Sequence, residues 1–353
     1  MMKWLRAGDP LGGDGDTRMS APLNVRPTSQ SSVGMDVAHQ APTSGRFNQL
    51  IAPCRRLAVK FFENPRWGVM FTLGRFRVVS TAVVFFHRGQ IVRPPAGVQS
   101  LFSSLDVDTA LRNMRRDGAH VGVNLDPQTV AEIARFAYTT ECYWPSDPRL
   151  RFLYANRAEA ERTCGKPILL GRYYDIEERC DAIRAIAQDP ILHYLAASYM
   201  GAPAGQIEAR LWWSFVAEAT SAERIKADQG FHYDLHDYRS IAFFFHITDV
   251  DDFAGPHVHV KGSHSHKPLR LLLGETRQSS EEDLIKHYGA ANLLTLCGRA
   301  GFGFATDPFG YHKGAVPLRR DRLILRVRFT LSDDGSRVDR SRPLVGTNGR
   351  APS

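Results

Sequence analysis

Apolar residues along the middle of the chain recur first at helical and then at strand spacing. Asp108–Arg116 reads as a short helix turned by Asp117-Gly118, and Ala119–Val123 reads as a short strand. Asp126-Pro127 opens a further helix, with Asp126 as its N-cap, Pro127 in the first helical position and Val130, Ile133, Ala134 and Ala137 as its apolar stripe. Helices are also expected near Ile176–Gln188 and over Asp189–Met200, where Asp189-Pro190 repeats the cap signal. After Gly201 the period shortens to two. Ile207–Ala217, Ser240–Thr248, His257–Lys261, Ala300–Ala305 and Arg322–Leu331 read as strands separated by turn residues. Helices followed by strands predict an α+β chain whose β part is a sandwich or barrel.

The two ends have a different character. Residues 1–45 are dominated by Gly, Ser, Pro, Asp, Thr and Gln without periodic apolar positions and read as a disordered tail, as do residues 336–353. Residues 1–18 lack the apolar core of a secretory signal. Residues 46–100 form a basic, partly helical extension that ends in the linker Pro94-Pro95-Ala96-Gly97.

Charge sharpens that boundary. The chain carries a formal net charge of +8, and Arg46–Arg93 holds nine basic residues against Glu63 alone. Two readings of residues 46–93 follow: a peripheral contact with a membrane or protein, or an extension packed on the domain with a solvated basic face. The apolar window Trp67–Phe86 is interrupted by Arg75 and Arg77, which argues against a spanning helix of roughly 20 residues. The five cysteines (Cys54, Cys142, Cys164, Cys180 and Cys297) follow no zinc or disulfide spacing, so reduced thiols and a cytoplasmic location are expected.

Candidate chemistry lies in His232-Tyr233-Asp234. On a strand, residues i and i+2 share a face, so His232 and Asp234 present an imidazole and a carboxylate side by side. A distant His312 can complete a set of two His and one carboxylate, the preferred site of non-haem Fe(II) oxygenases, with open positions for a chelating co-substrate and O2. A chelating 2-oxo acid needs a cation for its far carboxylate, and the planar fork of Arg suits it. Arg322 lies ten residues after His312; Arg326 and Arg328 share its strand face, and Arg319 and Arg320 sit just before it. The alternation leaves open which of them points inward.

Gly230–Asp252, Ala254–His264, Thr306–Gly314 and Asp321–Leu325 together resemble the phytanoyl-CoA dioxygenase-like family of Fe(II)/2-oxoglutarate oxygenases. The resemblance covers Asp117–Leu331 and is densest over Leu211–Phe329. It implies a double-stranded β-helix, or jelly roll, with N-terminal flanking helices, occupying residues 101–335. It implies His232, Asp234 and His312 as iron ligands and Arg322 as the partner of 2-oxoglutarate. It implies hydroxylation of a small organic molecule by O2, with decarboxylation of 2-oxoglutarate to succinate. Asp234 stands where related halogenases carry a small residue. His257, His259, His264 and His266 are expected to pack near the site, with Gly262–His264 in a turn. His236 or Tyr233 is a candidate to order the ligands. Gly314 departs from members with a hydroxyl there; Trp212, Trp213 and Ser214 are candidates to replace it. The alternatives are a cupin-like metal enzyme without 2-oxoglutarate and a non-catalytic scaffold docking through residues 46–93.

Overall fold

A computed structural model describes residues 64–272 and 277–332. The tails expected over 1–45 and 336–353, the extension as far as residue 63, and Cys54 lie outside the described residues.

The described chain begins with α1 (Pro65–Leu73), α2 (Arg77–Phe86), α3 (Val107–Asp117) and α4 (Pro127–Thr139). Each of the last two starts at an aspartate whose side chain satisfies free amide groups of the first turn. Asp106 accepts from Thr109 N at 3.0 Å, and Asp126 from Gln128 N and Thr129 N at 2.9 and 3.0 Å. Gly118 ends α3 in the left-handed region, with φ 72°. A Cβ there would lie 2.5 Å from His264 Nδ1, so both conformation and space demand glycine. The single helix expected near Ile176–Gln188 is two, α6 (Ile176–Arg179) and α7 (Asp181–Ala187), after α5 (Arg157–Cys164). The break falls at Cys180, whose extended backbone (φ −137°, ψ 109°) ends one helix and starts the next. Next comes α8 (Pro190–Met200).

The strands form two antiparallel sheets, and four of them (Ala119–Val121, Cys142–Trp144, Asp147–Phe152 and Leu170–Arg172) lie among the helices rather than after them, unlike the expected order of helices and then strands. The larger has the order β1 (Ala119–Val121), β9 (Gly303–Thr306), β6 (Ser240–His246), β11 (Arg322–Thr330), β5 (Gln206–Ser214), β4 (Leu170–Arg172), β2 (Cys142–Trp144) and β3 (Asp147–Phe152). The smaller has the order β10 (His312–Gly314), β7 (His257–Val260) and β8 (Leu293–Leu296), with the His232 segment bridged to β10. From β5 onward the chain passes between the two sheets: larger, His232 segment, larger (β6), smaller (β7, β8), larger (β9), smaller (β10), larger (β11). That path is the jelly roll, or double-stranded β-helix. Among the described residues no ladder joins the two sheets into a closed barrel.

β11 lies inside the larger sheet, in register with β5 along nine residues and with β6 along seven. Leu323, Leu325, Val327 and Phe329 join the main apolar core with Ile183, Ile186, Leu192 and other helix residues. The opposite face, Arg322, Ile324, Arg326 and Arg328, therefore points between the sheets. Phe244, Phe304, Ile324 and Leu296 form a small apolar cluster there.

The basic extension continues into α1 and α2. Arg75 donates to Leu272 O at 3.0 Å and Arg77 to Ser265 O at 3.2 Å. A membrane or protein contact through this segment has no support in the fold. No helix among the described residues is long and apolar enough to cross a membrane.

Asp189 ties the N-terminal region to α8. Its buried carboxylate accepts from Ile191 N at 2.9 Å and Leu192 N at 3.3 Å, and from Ser100 Oγ and Leu101 N across the chain. Asp189→Ala removes a cap and strands buried donors, so a loss of about 2–4 kcal/mol is expected in urea unfolding. A loss below about 0.5 kcal/mol would show that water replaces the carboxylate at no cost.

Candidate metal centre

The segment 230–236 is extended rather than a regular strand, held by single bridges on both sides. His232 N donates to His312 O at 2.9 Å, and His312 N returns the bond to His232 O at 2.8 Å. Tyr233 N donates to Arg277 O and Asp234 N to Pro308 O. Phe231, Tyr233 and Leu235 sink into an apolar cluster with Val258, Val260 and Tyr311. Alternation then turns His232, Asp234 and His236 the other way.

Both histidines are oriented through the same contact. His232 Nδ1 lies 2.8 Å from Gly230 O, and His312 Nδ1 lies 2.9 Å from Gly310 O. A carbonyl only accepts, so each Nδ1 carries the proton and each Nε2 keeps its lone pair for a metal. His232 Nε2 is 3.9 Å from Asp234 Oδ1, and His312 Nε2 is 4.0 Å from Asp234 Oδ2. The ligand atoms of His232, Asp234 and His312 all lie within 4.8 Å of one another. Two imidazole nitrogens and one carboxylate, with fixed tautomers, fit a divalent transition metal.

Electrostatics agrees with that fit. Burial works to raise the Asp234 carboxyl, but His236, His312 and His232 hold it well below the usual carboxylate range. His236 Nε2 lies 3.4 Å from Asp234 Oδ2. Burial, followed by the neighbouring His232, lowers His312 to about 4 and keeps it neutral at ordinary pH.

The ligand set opens into a cavity of about 450 Å³ that Arg322, Ser214, Trp212 and His257 also line. Arg322 donates through Nη1 to Gly255 O and through Nη2 to Ser214 Oγ at 3.1 Å. Burial lowers this guanidinium to about 10. A Cβ on Gly314 would lie 3.1 Å from Arg322 Nη2, so the glycine leaves room for the guanidinium. The hydroxyl beside Arg322 comes from Ser214. Trp213 points away, into the main core, where its Nε1 donates to Tyr173 OH.

The other candidates are spread around this centre. Arg319 lies over Phe253, and Arg320 pairs with Asp251 at the surface. His257 is buried with its ring centroid 5.4 Å from that of His312, and His259 is the register partner of His312. His264 Nε2 contacts Arg115 O, and His266 Nδ1 contacts Ser265 Oγ. Ser263 in the Gly-Ser-His turn accepts from Tyr311 N at 2.7 Å, next to the distal ligand. Lys267 is buried above the rings of Tyr233, Phe309 and Tyr311, at 4.3–4.6 Å.

A cluster on β5 and β11 joins Arg326 and Arg328, named with Arg322 as candidates on one strand face, to Glu208 and Arg210, which were not among the sequence candidates. Glu208 contacts Arg326 at 2.9 Å, Arg328 at 2.7 Å and Arg210 at 2.6 Å. The one legible sign of Glu208 and Arg210 was a pair of charges alternating along an otherwise apolar strand.

The sequence matches no family model and no curated protein. Solved structures give distant similarities. One is the epimerase SnoN in complex with Fe3+, alpha ketoglutarate and nogalamycin RO: 18% identity, TM-score 0.44, covering 70% of this chain and 93% of that one. A second is HygX from Streptomyces hygroscopicus with nickel and 2-oxoglutarate bound: 13% identity, TM-score 0.42, 63% and 86% covered. A third is EctD from S. alaskensis with 2-oxoglutarate and 5-hydroxyectoine: 15% identity, TM-score 0.39, 69% and 82% covered.

The cluster gives a pH prediction. Burial raises Glu208, but Arg326, Arg328 and Arg210 outweigh it and depress its pKa from 4.5 to about 2. The stabilisation is therefore complete above about pH 4.5 and is lost as the pH falls toward 2. Glu208→Gln should lower the urea midpoint at pH 7 and flatten its fall between those limits. A fall as steep as in the wild type would assign the acid sensitivity to other groups.

Proposed function

We propose that the chain is a non-haem Fe(II)- and 2-oxoglutarate-dependent dioxygenase that hydroxylates a small organic molecule. One observation carries the reading: two lone-pair Nε2 atoms and the Asp234 carboxylate converge in the same cavity as the buried Arg322. His232, Asp234 and His312 would hold the iron, and Arg322, with Ser214 beside it, would take the far carboxylate of 2-oxoglutarate. Iron and 2-oxoglutarate, when bound there, would supply the oxidising power for a hydroxylation in which O2 is consumed and 2-oxoglutarate ends as succinate and CO2. The chain's own share is orientation and shelter. The carbonyls of Gly230 and Gly310 fix the imidazoles. Trp212, Phe244 and Ile324 wall the cavity with apolar surface that limits water. Asp234 occupies the position that halogenation would need vacant.

On this reading residues 101–335 form the catalytic domain and residues 46–100 a basic extension to it. The four described cysteines are free, which suits a reducing compartment such as the cytoplasm.

Anaerobic addition of Fe(II) and 2-oxoglutarate to the full chain tests the reading. A weak visible charge-transfer band is expected only with both, and His232→Ala should abolish it. Arg322→Gln should raise the 2-oxoglutarate concentration for half-formation about 10–100-fold, the worth of a buried charged hydrogen-bonding pair. Iron binding without any 2-oxoglutarate dependence would favour the cupin-like alternative. A wild type that binds no iron would overturn the oxygenase reading.

A further inference from the structure

The inward face of β11 continues past the metal centre. At about 3.3 Å per residue, Arg326 lies roughly 13 Å along the strand from Arg322, and the two guanidiniums are held by different partners, Arg322 by Gly255 O and Ser214 Oγ and Arg326 by Glu208. The register sets Arg326 directly opposite Arg210, and Arg328 opposite Glu208. Two guanidiniums facing each other across a ladder repel. Glu208 is a single carboxylate shared by three guanidiniums.

Burial makes neighbouring guanidiniums costly. The Arg328 side chain is 9% exposed and that of Arg326 is 12% exposed. Arg326 Nε and Arg328 Nε and Nη1 are buried without a hydrogen-bond partner. Arg326 and Arg210 line the same cavity as the candidate ligands, and so does Arg172, carried on β4 beside Trp212 of β5. A cluster serving only to join two strands would be stabilised by matched charges. Here Arg326 faces Arg210 in the ladder and keeps a buried Nε without a hydrogen-bond partner, and both side chains line a cavity.

We propose that Arg326, Arg210 and Arg172 form a receptor for an acidic group on the substrate, a carboxylate or a phosphate. The inference rests on the oxygenase reading for what happens next: with the acidic group held here and 2-oxoglutarate held at Arg322, the carbon to be oxidised lies between them, over the metal ligands. The substrate class is then a small organic acid or phosphate ester.

Titration calorimetry on the full chain tests this at low ionic strength, with inorganic phosphate and propionate as separate probes and glycerol as the neutral control. It is run on protein loaded with Ni(II) and saturating 2-oxoglutarate, which occupies Arg322, and on metal-free protein. Saturable binding of at least one anion is expected, weakened at least tenfold in Arg326→Gln and in Arg210→Gln and weakened by added salt. Arg149→Gln, on the exposed side of β3, should bind as wild type. The preferred probe separates a carboxylate receptor from a phosphate receptor. Arg210 is only partly buried, so its variant keeps the test standing if Arg326→Gln fails to fold. Absence of saturable binding in the wild type, or wild-type affinity in a folded Arg210→Gln, would overturn the receptor. Failure of the Fe(II) and 2-oxoglutarate band alone would overturn the oxygenase reading while the metal-free titration still decides this one.

Discussion

The constraint on which the rest of the structure depends is the two-sidedness of β11. A strand must send alternate side chains to opposite faces, and this strand has one apolar face and one made almost wholly of arginine. The apolar face, Leu323, Leu325, Val327 and Phe329, is buried against the helices and anchors the larger sheet. That burial supplies the stability, so the space between the sheets need not be a conventional hydrophobic core. It can hold charges that would otherwise be intolerable. β5 repeats the division in register: Leu211 and Trp213 face the helices, while Glu208, Arg210, Trp212 and Ser214 face inward.

The smaller sheet solves a different problem, that of precision. The segment beside it is reduced to a single bridge on each side, yet the reciprocal backbone bonds of His232 and His312 fix two residues eighty positions apart. Each imidazole then bonds the carbonyl two residues before it, so backbone position determines ring orientation and tautomer together. Support comes from below: Ser263 holds Tyr311 N, and Lys267 packs over Tyr233 and Tyr311, the residues flanking the two histidines. The Gly-Ser-His turn thus bears on the centre through the backbone of the distal segment, and its histidine points elsewhere.

Much of this was legible in the sequence because its signals are local. Asp-Pro pairs mark helix starts, and i/i+2 spacing brings His232 and Asp234 to one side even though the segment is not a full strand. Helix continuity through Cys180 was misread because its apolar periodicity runs across a backbone break that no glycine or proline announces. The inward direction of Arg322 was ambiguous for a related reason. Alternation divides a strand into two faces but does not say which face meets the helices. The pairing of Arg326 and Arg328 with Glu208 was not legible because it runs between strands more than a hundred residues apart, at a register fixed only by the whole sheet.

The same register explains why the cluster differs in kind from Arg322. The two terminal nitrogens of Arg322 reach Gly255 O and Ser214 Oγ, neutral acceptors that orient a cation without cancelling its charge, while its Nε, like that of Arg326, is buried without a hydrogen-bond partner. Its fork is held ready while its field remains available to an anion. Arg326 instead faces another arginine and shares the Glu208 carboxylate with two further guanidiniums, so its charge is partly cancelled. Burial and the nearby Arg328 and Arg210 lower it to about 9, whereas Arg322 is lowered by burial alone. An anion arriving at the first position would find a preset partner; one arriving at the second would also relieve a conflict already built into the sheet.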